Sequence, residues 1–263
     1  MKAGRLDIVG LGTGGELGMT LAARQSLSEA EVVYGYGLYL DQAKPFLKKA
    51  EIRPSGMTAE MKRAGEALDS ALAGRRTALV SGGDAGVYGM AGAVFELAAA
   101  RGLPLGQGPG QLDLRVAPGV PAVAAAAALL GAPLTHDFCL ISLSDRLTPW
   151  DLIEKRLSLA AQADFVIALL NPKSRGRDWQ LGRAAEILTG LIPAQTPAGV
   201  VIRAGRPGQT VLLTTLGEVN QAQVDMQTLI IIGNSRTFVY QGRLVTPRGY
   251  ADKYGLGDKD SSD

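Results

Sequence analysis

The chain has 263 residues, of which 46% are hydrophobic, and its 27 basic and 25 acidic side chains leave a net charge of +2. This composition is typical of a globular protein with one large core or two smaller ones, and it excludes an intrinsically disordered chain. The near balance of charge gives no electrostatic reason to expect nucleic acid or an anionic membrane as a partner.

Strands alternate with helices through the first half of the chain. The apolar runs predict strands at 6–12, 31–36, 77–83 and 114–119. Helical patterns occupy 18–29, 38–50, 57–73 and 85–101, and an alanine-rich helix follows Pro121. This alternation predicts a mostly parallel sheet that is covered by helices on both faces.

The second half of the chain has a different order of elements. Strands are predicted at 138–145 and 164–171, with helices at 149–162 and 177–190, and four strand-like runs then follow at 198–204, 210–216, 228–234 and 238–247. Four successive strands with little helix between them predict a mixed sheet. The fold class is therefore α/β, with two α/β domains: an N-terminal one over 1–119 and a C-terminal one over 138–250, joined by a helix and linker over 120–137 and followed by a polar tail over 251–263.

Cysteine and histidine are scarce. The single cysteine, Cys139, cannot form an internal disulfide, which predicts a cytoplasmic protein. One cysteine and one histidine also exclude a Cys/His metal cluster, so no metal site is expected. We recognise no signal peptide and no apolar run long enough to cross a bilayer, and therefore expect no membrane partner.

Three glycine-rich loops follow three of the predicted parallel strands. Their sequences are "GLGTGG", "SGGDAGVYG" and "APGVPA". Because ligands of open α/β sheets bind at the carboxyl ends of the strands, these loops are expected to converge on one ligand. Glycine would let that ligand lie against bare backbone, where N–H and C=O groups can bind it.

The first loop also matches the dinucleotide fingerprint G-x-G-x-x-G, at Gly10, Gly12 and Gly15. A nicotinamide site needs an acidic residue at the carboxyl end of the second strand to bind the ribose. Glu29 and Glu31 instead precede that strand or begin it. An NAD(P)-dependent dehydrogenase is therefore a rival interpretation that the sequence disfavours, and a Walker-type phosphate loop is absent.

A specific resemblance extends over about residues 5–250. The runs "VGLGTGG", "SGGDAGVYGM", "LLNPKSRGRDWQL" and "LIIIGNSRTFVYQGRLVTPRGY" occur in this order. With them, the chain resembles the tetrapyrrole methylase family of S-adenosylmethionine-dependent enzymes. The second loop commonly reads G-G-D-P and ends in arginine in that family, whereas this chain has Ala85 and Met90 at those positions.

The resemblance implies that S-adenosylmethionine binds in a cleft between the two domains and leaves as S-adenosylhomocysteine. Positions that match the cofactor loops are Leu11, Gly12, Gly82, Gly83, Asp84, Val87, Tyr88, Pro121 and Ala122. Positions that match the adenosine-binding residues of the C-terminal domain are Leu170, Asn171, Ile202, Thr228 and Leu229. Relatives carry Thr-Ala where this chain has Pro121 and Ala122, so a threonine hydroxyl is missing.

Within the family, the two departures agree with the branch that methylates C17 of precorrin-3B, or of its cobalt form, and extrudes C20 from the ring. Another tetrapyrrole C-methyltransferase is the alternative. Ring contraction calls for an acid or base, and the candidates are Asp84, His136 and Asp145. Asp84 could equally be the N-cap of a helix that starts at Ala85, worth about 1 kcal/mol, and His136 could be a structural hydrogen-bonding residue.

Basic side chains are concentrated in one part of the second domain. Residues 171–217 carry six basic and two acidic side chains. Arginine suits carboxylates because its planar fork binds both oxygens, and a corrin precursor carries many acetate and propionate groups. Lys173, Arg175, Arg177 and Arg203 are therefore the candidate substrate-binding residues.

A non-catalytic tetrapyrrole carrier is a third interpretation. The cofactor loops count against it, because a carrier needs no second pocket. The resemblance also implies a homodimer, for which the strand-rich second domain would offer apolar surface.

Overall fold

The computed structural model describes residues 4–15, 18–174 and 176–255. The chain divides into two compact units, Met1–Ala122 and Val123–Asp263, so the boundary lies within the segment 120–137 that the sequence predicts as the connection. No helix in the described ranges is long and apolar enough to span a membrane.

The first unit is built on a five-stranded sheet. Its elements are β1 (Gly4–Gly10), α1 (Leu21–Glu29), β2 (Val32–Tyr36), α2 (Gly37–Ala43), a 3-10 turn (Lys44–Phe46), β3 (Glu51–Ser55), α3 (Glu60–Leu72), β4 (Arg76–Ser81), α4 (Met90–Ala100) and β5 (Leu112–Ala117). The strand order is β3-β2-β4-β1-β5, and every pair is parallel. The predicted parallel sheet is confirmed.

Apolar layers on both faces of this sheet hold it together. Leu6 and Ile8 of β1 pack with α3 and α4 on one face, and Val9 packs with α1 and α2 on the other. Alternate residues of one strand thus enter two cores, as expected for a central strand. Each fully buried aliphatic side chain contributes about 1.5–3 kcal/mol to the stability of the folded state. The ends of the strands, from which the loops leave, are therefore well ordered.

The second unit carries a mixed sheet. Its elements are α5 (Ala122–Leu130), β6 (Gly131–Ala132), β7 (Phe138–Ser142), α6 (Trp150–Gln162), β8 (Val166–Leu170), α7 (Gln180–Thr189), β9 (Pro197–Ile202), β10 (Thr210–Thr215), a 3-10 segment (Leu216–Gln221), β11 (Thr228–Ile232), β12 (Phe238–Tyr240), β13 (Arg243–Val245) and α8 (Tyr250–Tyr254). The order is β10-β9-β11-β8-β7, with a separate β12-β13-β6 sheet. β7 and β8 are parallel, whereas β11 runs antiparallel to β8 and β9, which confirms the predicted mixed sheet.

Two details of the first unit differ from the sequence prediction. β3, an edge strand of sequence "EIRPS", was not predicted, because a strand that pairs on one side only needs few apolar residues and tolerates Pro54. The helix predicted at 85–101 begins only at Met90, with Gly89 at its N-cap position. Asp84 therefore does not cap that helix, because the chain first forms a loop in which Tyr88 has φ +52. The segment 256–263 of the predicted tail lies outside the described residues.

Candidate functional site

The loops that follow β1, β4 and β5 are in direct backbone contact at the carboxyl edge of the parallel sheet. The Gly12 N–H donates to the Gly83 carbonyl at 3.0 Å, and the Gly83 N–H donates to the Gly12 carbonyl at 2.9 Å. A Cβ added to Gly119 would lie 2.2 Å from the Gly83 oxygen, and one added to Gly10 would lie 2.6 Å from the Gly119 nitrogen. We call Gly10, Gly12, Gly83 and Gly119 the glycine seam. Contacts this close leave no room for a side chain at Gly10 or Gly119.

Asp84 ties the second loop to the third. Its Oδ1 accepts the Gly86 N–H at 2.8 Å, and its Oδ2 accepts the Gly119 N–H at 2.9 Å. Hydrogen bonds from N–H groups to a carboxylate are among the stronger ones in proteins. Both oxygens of Asp84 thus hold backbone in place, in the middle of the seam.

The surface around the glycine seam combines exposed apolar side chains with bare backbone. Val87 and Tyr88 are 40% and 61% exposed at the tip of the second loop, where an apolar ligand would cover them. A Cβ on Gly83 would meet only the Ala122 nitrogen, at 3.7 Å, and the residue has φ +63, so the backbone is bare on that side. Leu11 lies fully buried beneath the loop. The residues predicted for a methyl donor in this unit therefore fit one chemically.

The acidic residue that a dinucleotide site needs is at the wrong edge of the sheet. Glu31 accepts the Arg76 N–H at 2.7 Å, at the start of β4, and Glu29 bonds to Arg5 at 2.8 Å. Both glutamates lie at the amino ends of the strands, opposite the glycine seam. The geometry therefore does not support the dehydrogenase interpretation.

The positions predicted for adenosine in the second unit come together at one edge of the mixed sheet. Leu229 of β11 pairs directly with Leu170 of β8, and Thr228 pairs with Ile202 of β9. Asn171 follows β8 with φ +55, and its Nδ2 donates to the Ser142 hydroxyl at 2.9 Å. The sequence places these five residues on three separate predicted strands, at 164–171, 198–204 and 228–234.

A groove of about 390 Å³ opens beside this edge. Its lining is Lys173, Ser174, Val224, Asp225, Met226 and Gln227. Arg203 approaches Asp225 at 3.6 Å, and its backbone N–H donates to the Gln227 carbonyl at 3.0 Å. Two of the four predicted substrate-binding residues, Lys173 and Arg203, thus lie at the groove, whereas Arg175 lies outside the described residues.

Arg177 and Asp145, for which the sequence predicts different roles, are partners of each other. The Arg177 Nη1 lies 3.6 Å from the Asp145 Oδ1, with the arginine side chain only 14% exposed. The Arg177 Nε donates to the Ser174 hydroxyl at 2.8 Å. Gln180 donates to the other Asp145 oxygen at 3.4 Å. The Asp145 carboxylate is therefore held by two side chains, those of Arg177 and Gln180.

His136 has one ring nitrogen engaged. Its Nδ1 accepts the Asp137 N–H at 2.8 Å, and the side chain is 41% exposed. A neutral imidazole that accepts at Nδ1 carries its proton on Nε2. Nearby in the sequence, burial raises the pKa of the Cys139 thiol to about 11, so this cysteine is not a nucleophile at neutral pH.

The sequence does not predict the contacts of three residues that the geometry shows to be important. Gly119 appears only as a member of the third loop and Gly10 only in the disfavoured dinucleotide fingerprint, although each is a contact point of the glycine seam. Gln180 is 1% exposed and bonds to Asp145, but nothing in its sequence neighbourhood announces this. A glycine directly at a strand end can be recognised in the sequence as a candidate contact point of a site. A glutamine in the first turn of a helix cannot, because its burial does not show in the sequence.

Comparison with known proteins gives consistent matches. The family described as Tetrapyrrole (Corrin/Porphyrin) Methylases matches residues 5–220. A Salmonella typhimurium protein named "Probable cobalt-factor III C(17)-methyltransferase" is 47% identical over 245 residues, which is 93% of this chain and 99% of that protein. A Sinorhizobium sp protein named "Precorrin-3B C(17)-methyltransferase" is 43% identical over 94% of this chain and 98% of its own. The crystal structure of the methyltransferase CobJ matches with a TM-score of 0.86 and 36% identity, over 93% of this chain and all of that one.

Proposed function

The chain belongs to the tetrapyrrole (corrin/porphyrin) methylases, and on that premise we propose that it transfers the methyl group of S-adenosylmethionine to C17 of precorrin-3B, or of its cobalt-containing counterpart. The ring contracts in the same reaction and gives precorrin-4 in corrin biosynthesis. The observation that carries the proposal is the identity of 47% and 43%, over nearly the full chain, to two proteins named for methyl transfer at C17.

The glycine seam is the proposed support for the methyl donor. When bound, S-adenosylmethionine supplies an electrophilic methyl group, whose bond to sulfur breaks as the bond to C17 forms, leaving S-adenosylhomocysteine. The chain's part is to hold the reactants in line and exclude water, and positioning of this kind can contribute about 7–11 kcal/mol. In the first unit this task is assigned to Leu11, Gly12, Gly82, Gly83, Asp84, Val87, Tyr88, Pro121 and Ala122. In the second unit it is assigned to Leu170, Asn171, Ile202, Thr228 and Leu229.

Of the three acid/base candidates, we propose that His136 contacts the reacting substrate, as a hydrogen-bond donor through its Nε2–H. Asp84 uses both oxygens to hold backbone N–H groups, and Asp145 is held by Arg177 and Gln180. His136 accepts at Nδ1, so its Nε2–H can donate to a substrate oxygen. Replacement by glutamine keeps an N–H near that point, whereas asparagine keeps only the acceptor near Nδ1. Turnover is expected to survive better in His136→Gln than in His136→Asn, and equal loss in both would contradict this role.

Lys173 is the strongest of the proposed contacts to substrate carboxylates. It is exposed at the groove and has no ion-pair partner among the described residues, while Arg177 and Arg203 each already face an aspartate. Replacing Lys173 with methionine should weaken tetrapyrrole binding, and should leave the variant less sensitive to added salt, because one screened attraction is gone. The matched control is Lys155→Met on α6. If the two variants bind tetrapyrrole with equal affinity, Lys173 is not a substrate-binding residue.

The test of the reaction is direct. Purified protein is incubated with methyl-labelled S-adenosylmethionine and either precorrin-3B or cobalt-factor III, and the products are followed by mass spectrometry and NMR. We expect S-adenosylhomocysteine together with a product that carries the label on C17. Label at another ring carbon would instead indicate a different methyltransferase of the pathway. Tetrapyrrole binding without any transfer would favour the carrier interpretation.

We further propose a cytoplasmic homodimer. The single cysteine, Cys139, supports a reducing compartment. The edge strand β12 exposes Phe238, Val239 and Tyr240 by 46–60%, and an exposed apolar edge is a common pairing surface. Light scattering at micromolar concentration tests the assembly, and cell fractionation tests the location. A monomer mass at that concentration would contradict the dimer.

A further inference from the structure

Arg63 is a buried cation at the carboxyl edge of the first unit. It belongs to the first turn of α3 and is only 5% exposed. Because β3 ends at Ser55 and α3 begins at Glu60, this first turn lies at the same edge of the sheet as the glycine seam. Burial lowers the pKa of the Arg63 guanidinium, although Glu60 and Tyr39 act in the opposite direction.

The protein satisfies only part of the hydrogen-bonding capacity of this guanidinium. The Nη1 donates to the Ser55 hydroxyl at 2.6 Å and to the Gly56 carbonyl at 3.4 Å. The Nη2 approaches only the Met90 sulfur, at 3.9 Å, and a thioether is a weak acceptor. The Nε is buried without a hydrogen-bond partner. Nε and Nη2 form one edge of the planar fork, so the edge that binds a carboxylate through two parallel bonds is the edge left unused.

The charge also lacks a counter-ion. Among the described residues no carboxylate lies within ion-pair distance of Arg63, and the nearest acidic influence is Glu60, which is exposed on the same helix turn. An unpaired buried charge is costly, and a polar group left in that condition in a folded protein calls for an explanation. A ligand carboxylate that completes the pair supplies one.

The surroundings suit a ligand that is apolar apart from its carboxylates. Leu38, Met57 and Met61 are 42–55% exposed at the starts of α2 and α3, all at the carboxyl edge of the sheet. The Tyr39 ring packs on Gly82, where a Cβ would lie 2.5 Å from the ring. Unbranched methionine side chains re-pack easily around a ligand. The Arg63 Nε is itself buried, so a ligand carboxylate reaches it only after neighbouring side chains rearrange.

We propose that Arg63, with Ser55 beside it, is a carboxylate-binding subsite of the first unit. It takes either an acetate or propionate arm of the tetrapyrrole or the amino-acid carboxylate of the methyl donor, and the inference rests on the proposed function. Nε and Nη2 donate to the two carboxylate oxygens, and Ser55 holds the guanidinium from the other side. Arg63 binds and positions the ligand and takes no part in proton transfer.

The test compares Arg63→Met and Arg63→Lys with the wild type. Arg76→Met is the matched control, because it removes the same charge from an exposed residue at the opposite edge of the same sheet. Uroporphyrin III, which carries acetate and propionate groups, is titrated by fluorescence. S-adenosylhomocysteine and 5′-methylthioadenosine, which lacks the carboxylate, are titrated by calorimetry.

Arg63→Met is expected to lose about 10- to 100-fold in affinity for uroporphyrin III or for S-adenosylhomocysteine, and the ligand affected identifies the source of the carboxylate. Arg63→Lys should lose less, and Arg76→Met should bind as the wild type does. The ligand-free Arg63→Met protein should be no less stable than wild type, because a buried unpaired charge has been removed. Retained affinity for 5′-methylthioadenosine shows that the fold is intact.

Two results would overturn the subsite. One is wild-type affinity of Arg63→Met for both carboxylate ligands. The other is a loss of stability together with affinity for all three ligands, which would make Arg63 a structural cross-link. If the wild-type protein itself binds neither uroporphyrin III nor S-adenosylhomocysteine, the proposed function fails. If the wild type binds them and Arg63→Met binds them equally well, only the subsite fails, so the two failures are distinguishable.

Discussion

Replacing Asp84 with asparagine separates a structural role from a catalytic one. The carboxylate accepts the Gly86 N–H at 2.8 Å and the Gly119 N–H at 2.9 Å, one on each oxygen. An asparagine side chain has one oxygen, and its NH₂ group would face whichever N–H the other carboxylate oxygen had accepted. The substitution therefore removes one charge-assisted bond and leaves an N–H opposed by another donor.

The size of the effect follows from that loss. A hydrogen bond to a charged group contributes about 1.5–3 kcal/mol. The Gly119 N–H is partly buried, so water replaces the carboxylate poorly there. We expect Asp84→Asn to lower the free energy of unfolding by about that amount. Because Asp84 holds the second loop against the third, affinity for S-adenosylhomocysteine should fall as well.

The measurements are urea unfolding and titration calorimetry, with Asp41→Asn as the control. Asp41 makes an exposed pair with Lys44 at 2.6 Å, and such pairs contribute about 0–1 kcal/mol. The same chemical change should therefore have little effect there. If Asp84→Asn keeps wild-type stability and cofactor affinity while turnover is lost, Asp84 acts on the reaction itself and the positioning role is wrong.

Three further predictions concern packing and ionisation. Gly119→Ala should abolish S-adenosylhomocysteine binding, because its Cβ would lie 2.2 Å from the Gly83 oxygen, whereas Gly37→Ala, with no atom within 4 Å, should bind normally; tight binding by both variants would refute the seam. Cys139, with its thiol pKa of about 11, should be alkylated slowly by iodoacetamide at pH 8, where roughly one thiol in a thousand is ionised, and should react much faster in urea; equal rates would contradict its burial. Burial raises the pKa of the Asp7 carboxyl, although Arg5 acts against this. The folded state thus keeps a proton that the unfolded state has released, so the stability that Asp7 contributes is lost as pH rises from the unfolded to the folded pKa. The unfolding free energy of wild type minus that of Asp7→Asn should therefore fall with rising pH, and a rising difference would refute the assignment.

The central strands and their ligand edge were predictable because their signals are local. The run from Leu6 to Val9 is apolar except for Asp7 and is followed at once by Gly10, and a second apolar run, at 78–80, ends two residues before Gly82. In a parallel sheet such runs are buried on both faces, so the sequence reports them without reference to any partner. The meeting of the three loops then follows from strand direction alone.

What the sequence did not predict depends on contacts between distant segments. β3 forms because β2 offers an edge, and its own residues carry little apolar signal. Helix α4 starts at Met90 and not at Ala85, after a loop in which Tyr88 has φ +52 and Asp84 is bonded to Gly119, 35 residues away in the chain. The pairing of Asp145 with Arg177 and Gln180 likewise depends on how the loop after β7 meets the start of α7. Residue types and spacing alone contain no measure of these distances.

The departure from the family's second loop at Met90 is explained by the packing around α3, whereas the one at Ala85 has no structural explanation. Ala85 is fully buried within the core that α3 and α4 share. Met90 is 8% exposed in the same core, with its sulfur 3.9 Å from the Arg63 Nη2. An arginine at position 90 would bring a second guanidinium beside a buried one that already lacks a counter-ion, and like charges at such a distance repel strongly away from water. Methionine at this position is therefore the residue that is compatible with a cation supplied from α3, which links the sequence difference at Met90 to the proposed carboxylate subsite at Arg63.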